Sequence, residues 1–130
     1  MSGKADGVML GDLEGRIRHE LPHLAEEEVH SLARIVERLI NAYQPERIYI
    51  FGSKARGDHG PDSDFDLLVV VPDAAEDERK RSRLAYEHLW GTGTAADVLV
   101  WTRGLFDSRA HLPVSLPGTV VREGRLLYAA

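Results

Sequence analysis

The sequence predicts one α/β or α+β domain built on a small β-sheet. Three observations predict it. Three short apolar runs of β-forming residues recur, at 48–51, 65–71 and 98–101. Each is bounded by turn residues, as buried strands are. An amphipathic helical stripe precedes the first run, and a second helical stretch separates the second run from the third.

The elements follow in order. Residues 1–8 read as a loose tail. Leu10, Leu13, Ile17 and Leu21 have helical spacing over 9–21, although Gly11 and Gly15 weaken that helix. Over 26–43, Val29, Leu32, Val36, Leu39, Ile40 and Tyr43 form one apolar stripe. Glutamates fill its first turn, where the helix dipole favours them, and Gln44-Pro45 ends it. The strands at 48–51 and 65–71 come next. A helix is expected over 74–90, with Asp73 as N-cap, Glu76 three residues on, and Gly91 as its stop. Its acids precede its bases, which reads as a solvated face. After the strand at 98–101, the stretch 119–128 reads as two short strands around Glu123-Gly124. Trp90, Trp101, Tyr43 and Tyr128 read as packing residues.

Composition narrows the function. The chain has 130 residues, 43% hydrophobic and 28% charged, which is ordinary for one globular domain. It has no cysteine, which excludes disulfides, thiolate metal sites and cysteine nucleophiles. No apolar run approaches a membrane span, and MSGKADG has no apolar core, so we expect no signal peptide and a cytoplasmic protein. The formal charge of −5 is the wrong sign for a protein whose main ligand is nucleic acid. A small anion or a basic protein partner suits it better.

Chemistry concentrates in three places. Gly52-Ser53-Lys54-Ala55-Arg56-Gly57 directly follows a strand. Gly52 lets the backbone turn and approach a ligand. If Ser53 opens a short helix, its free amides and hydroxyl make an anion pocket, with Lys54 and Arg56 adding positive charge. Asp64-Phe65-Asp66 opens the next strand, where alternation sends both carboxylates to one face. Two like charges so close call for a cation between them, and Mg²⁺ takes one or two carboxylates plus phosphate oxygens. Asp97 opens the third strand and could add a carboxylate from the side, enough for two metal ions. Taken singly, each feature also suits a plain turn or strand entry. Six histidines (His19, His23, His30, His59, His88 and His111) read as surface or structural: His19 and His23 are four apart but Pro22 intervenes, and His59, inside the loop between Ser53 and Asp64, is the one best placed to approach a ligand.

In combination, Gly52-Ser53, ten residues, then Asp64-Phe65-Asp66 resembles the minimal nucleotidyltransferases of the DNA polymerase beta superfamily, whose signature is G-S-x10-D-x-D. The runs 50–57 and 63–70 resemble the family consensus, Asp97 with Val98-Leu99-Val100 fits its third carboxylate, and 122–128 resembles a common ending. The resemblance covers residues 45–128. It implies a DNA polymerase beta-like fold: a small mixed sheet with flanking helices over 26–130, preceded by a partly helical extension at 1–25. It implies that Asp64, Asp66 and Asp97 hold two Mg²⁺ ions and are catalytic, Asp97 helping to deprotonate the attacking hydroxyl. It also implies that Gly52 and Ser53 cradle the phosphates of ATP, and that Lys54 or Arg56 neutralises charge. The hydroxyl attacks the α-phosphate and pyrophosphate leaves.

Roughly 30 residues follow Asp97, so we expect no acceptor-binding domain and a partner that brings the acceptor. The resemblance extends to the MNT antitoxins of HEPN/MNT toxin–antitoxin pairs, which implies AMP transfer to tyrosine of a HEPN toxin and either a homo- or a hetero-oligomer. Two alternatives stay open: an antitoxin that works by masking its partner, and an antibiotic nucleotidyltransferase that needs a partner subunit.

Overall fold

A computed structural model describes residues 10–58, 60, 63–93 and 95–130. The expected tail at 1–8 and His59 lie outside these. The elements run α1 (Leu10–Glu20), α2 (Glu26–Tyr43), β1 (Arg47–Phe51), α3 (Ser53–Arg56), β2 (Phe65–Val71), a 3₁₀ turn (Asp77–Lys80), α4 (Arg83–Leu89), β3 (Ala96–Thr102), α5 (Arg103–Arg109), α6 (Leu116–Glu123) and β4 (Arg125–Ala129).

The four strands form one mixed sheet in the order β3-β2-β1-β4. β1 runs antiparallel to β2 and β4, while β3 runs parallel to β2. A parallel pair needs a crossover, and α4 with its flanking turns supplies it. Helices cover both faces. Phe65, Leu67, Val69, Val71, Ile48 and Ile50 turn to one face and pack with the apolar stripe of α2. Leu13, Ile17, Leu21 and Leu24 belong to this same core, so residues 10–24 are built into it. On the other face Leu68 and Val70 pack against Phe106 of α5 and Val120 of α6. Tyr49 stacks on the Phe106 ring with centroids 5.3 Å apart.

The helix expected over 74–90 is replaced by a turn, the 3₁₀ segment and a short α4. Tertiary bonds hold this stretch in place of a continuous helix. The Asp73 carboxylate accepts from the Gly104 amide at 2.8 Å and so caps the first turn of α5. The Arg79 guanidinium donates to the carbonyls of Tyr43 and Gln44, capping the end of α2 from outside. Glu76 and Arg81 both have extended backbone. The buried Tyr43 hydroxyl donates to the Arg81 carbonyl and accepts from the Ala85 amide.

A second correction concerns 119–128. Its first half is the end of α6, and only Arg125–Ala129 is a strand. The β-branched Thr119, Val120 and Val121 suggest a strand. However, Ser115 accepts from the Gly118 amide as N-cap and Pro117 sits in the first turn, a helix start that outweighs them. α5 was not foreseen at all. Trp90, expected in the core, is 87% exposed, while Trp101 packs against the α5–α6 face. Among the described residues no helix is long and apolar enough to cross a membrane.

Candidate active site

The mixed topology brings three chain segments to one end of the sheet. Because β1 is antiparallel to β2, its C-terminal end lies beside the start of β2, with Phe51 opposite Asp66. Because β3 is parallel to β2, its start lies there too, with Asp97 opposite Asp66. Residues paired in this way share a face, on strands about 4.8 Å apart. Asp64 lies one residue before β2.

Gly52 follows β1 with φ 80° and ψ −162°, a conformation open in practice only to glycine. A Cβ there would overlap Asp66 Oδ2 and lie 3.1 Å from its Cγ. The Asp66 carboxylate therefore rests directly on the Gly52 backbone. Ser53 opens α3, as anticipated, and the amides of Ala55 and Arg56 bond back to the Gly52 carbonyl. The Ser53 and Lys54 amides, in the first turn, have no acceptor within the helix.

Lys54 departs from expectation. The residue is 5% exposed, its ammonium donates to Glu28 at 2.8 Å, and it lies 4.6 Å from the centre of the Phe65 ring. Phe65 and Asp66 point to opposite faces of β2, so this charge sits across the sheet from the Asp66 carboxylate. The backbone is held as well: His23 Nε2 donates to the Lys54 carbonyl at 2.6 Å. Arg56 is exposed, pairs with Asp58 at 3.1 Å, and is near enough to Asp66 to favour its ionised form.

Asp66 is held above the usual carboxylate range, chiefly by burial, then by the like charges of Asp97 and Asp64. Hard oxygen donors with uncompensated negative charge suit a divalent cation, so the donor set fits Mg²⁺. As the side chains stand, no three Asp, Glu or His among the described residues converge to hold a metal ion. The backbones of Asp66 and Asp97 are already paired across β2 and β3.

Sequence reasoning missed Tyr86. Its hydroxyl donates to Asp97 Oδ1 at 3.3 Å, and burial, then Asp97, pushes its pKa up. Eleven residues separate the two, across the helix-to-strand turn, so no local pattern marks the contact. Glu28 of α2 and His23 of the turn between α1 and α2, which fix α3, gave no local signal either.

The protein family described as "nucleotidyltransferase domain" matches residues 31–124. The solved structure of a candidate nucleotidyltransferase from Sulfolobus solfataricus is similar over 98% of this chain and 90% of its own, with 22% identity and a TM-score of 0.50. No curated protein matches the chain. At that identity the structural likeness speaks for the fold alone, a mixed α/β nucleotidyltransferase fold. The family match spans most of the chain and includes all three segments that meet at the end of the sheet. The chain belongs to the nucleotidyltransferase domain family.

Proposed function

We propose that this chain transfers a nucleoside monophosphate, AMP from ATP, to a hydroxyl acceptor, and that the acceptor is a tyrosine of a HEPN-type toxin for which the chain is the antitoxin. One observation carries the transfer reading: Asp66 and Asp97 are paired across adjacent strands, with the Asp66 carboxylate resting on the Gly52 backbone. The acceptor is inferred from the resemblance to MNT antitoxins. A chain without cysteine suits the reducing cytoplasm in which such a pair would act.

In this reading Asp64 and Asp66 hold Mg²⁺, with Asp97 completing the set. The cation, when bound, neutralises the triphosphate charge and polarises its oxygens. Gly52 and Ser53 present backbone amides and a hydroxyl to the β and γ phosphates. Arg56 supplies positive charge at the rim, whereas the buried Lys54 supports α3 from behind. Asp97 accepts the proton of the attacking hydroxyl. The hydroxyl oxygen bonds to the α-phosphorus as the bond to pyrophosphate breaks. Leu105, Leu112, Val114 and Val121 are exposed apolar residues of the α5–α6 segment, which suits a chain that works against a protein partner.

The test is incubation of the protein with ATP, Mg²⁺ and the toxin encoded beside it, followed by intact mass and toxin activity. Wild type is expected to add AMP to a toxin tyrosine and silence it. Asp97→Asn is expected to bind Mg·ATP and the toxin yet slow transfer at least about 10²-fold. Full silencing by Asp97→Asn with no mass added would replace this reading with one of masking.

A further inference from the structure

Tyr86 is the side chain at this end of the sheet that the proposed transfer leaves without a task. It sits on α4 and is 51% exposed. Its hydroxyl donates to Asp97 Oδ1. Gly91 and Gly93 take φ of 87° and 74°, within the short turn that carries the chain from α4 to β3 and so returns Asp97 to Tyr86. Asp64 and Tyr86 line the same open groove of about 460 Å³, with Trp90 also on its wall.

We infer that Tyr86 is itself an acceptor, so that the chain attaches a nucleoside monophosphate to its own Tyr86 hydroxyl. This rests on the nucleotidyl transfer proposed above. A nucleophile and its base must lie within hydrogen-bond reach, and Tyr86 already donates to the carboxylate assigned as base. The groove leaves space beside Asp64 and Tyr86 for a phosphoryl group, and the exposed Trp90 ring offers the nucleoside a surface to stack on. In the step, Tyr86 Oη bonds to the α-phosphorus of a bound nucleoside triphosphate. The bond from that phosphorus to the bridging oxygen breaks, and pyrophosphate leaves with the electron pair. The phenol proton passes to Asp97 and then to water. The product is a phosphodiester between tyrosine and nucleoside. Tyr43 illustrates the contrast: it is fully buried, with its hydroxyl bonded to Arg81 and Ala85. A modified Tyr86 would hold its nucleoside phosphate beside Asp97, the carboxylate assigned as base, so self-modification would restrain transfer to any other acceptor.

The experiment uses the full chain alone, incubated with Mg²⁺ and each of ATP, GTP, CTP and UTP in turn. Calorimetry reads nucleotide binding, intact mass reads modification, and peptide mapping locates it. The expected result is one added nucleoside monophosphate on the peptide carrying Tyr86, at a rate per molecule independent of protein concentration. Tyr86→Phe, which keeps the ring, is expected to gain none, and Asp97→Asn to gain it at least about 10²-fold more slowly. Wild-type protein that binds Mg·ATP but gains no mass would overturn this inference and leave the transfer reading intact. Mass that maps elsewhere, or persists in Tyr86→Phe, would overturn it too. A rate per molecule that rises with concentration would replace it with modification between copies. A chain that binds none of the four nucleotides and gains no mass would remove both readings.

Discussion

Gly52→Ala tests the closest approach at the end of the sheet. The native φ of 80° with ψ −162° is a glycine-only region, and holding alanine there costs about 1–3 kcal/mol. The new methyl would also overlap Asp66 Oδ2 and lie 3.1 Å and 3.3 Å from its Cγ and Cβ. The carboxylate must then rotate off its seat, at about 0.5–1.5 kcal/mol if it is driven from its rotamer. Together these give roughly 2–4 kcal/mol, on the order of 10 °C in Tm for a chain of this size. Thermal unfolding of Gly52→Ala, Asp66→Ala and the double variant separates the two costs. The backbone cost should persist in the Asp66→Ala background, while the clash should vanish, leaving a coupling of about 1 kcal/mol. The displaced Asp66 should also reduce Mg·ATP affinity in the single variant. A Gly52→Ala protein with wild-type Tm and wild-type Mg·ATP affinity would refute both the strain and the contact.

Asp66→Asn should be more stable than wild type at neutral pH, because burial and two like charges oppose the ionised form of Asp66. Its folded pKa is raised, so wild type recovers stability as acidification protonates it, and urea midpoints should show the advantage of Asp66→Asn shrinking as pH falls. A less stable Asp66→Asn at pH 7 would contradict this. Lys54→Met removes a buried ammonium from Glu28, which is itself a quarter exposed, and should cost roughly 1–3 kcal/mol. Its stability loss in denaturant should exceed any loss of Mg·ATP binding energy; the reverse ranking would return Lys54 to the phosphates. Burial pushes the Tyr43 phenol up to about 12. Its protonated form is favoured on folding, so this contribution is full below pH 10 and is lost between pH 10 and 12, by about 2–3 kcal/mol. Tyr43→Phe should lack that loss in matched denaturation series.

Much of the fold was legible because its central elements are set by local pattern. The α2 stripe, the β-rich runs and the turn at Gly52-Ser53 each carry their own signal, and the structure forms all of them. What failed to read locally is decided by distant partners. Asp73 looked like the cap of the following helix, but its carboxylate caps α5, thirty-one residues away. Arg79 looked like a solvated base and instead closes the end of α2. The Ser115 cap and Pro117 were legible signals that the β-branched residues after them obscured. At the site, residue types and spacing pointed to Gly52, Asp64, Asp66 and Asp97, and the strand pairing brings these segments together. The inward turn of Lys54 depends on Glu28 from α2, and the approach of Tyr86 depends on the crossover, so neither has a signature in its own neighbourhood.

The hold on α3 has a consequence for where this molecule can be cut. The family pattern begins at residue 31. Both side chains that grip the helix after Gly52 come earlier: His23 bonds the Lys54 carbonyl and rests 3.5 Å from where a Gly57 side chain would begin, and Glu28 takes the Lys54 ammonium. Leu13, Ile17, Leu21 and Leu24 fasten that same stretch to the core. A fragment trimmed to the family boundary would keep every signature residue and lose the struts behind the loop. The N-terminal stretch is also a lever on it: anything that pulls His23 or Glu28 aside slackens the loop without touching the carboxylates.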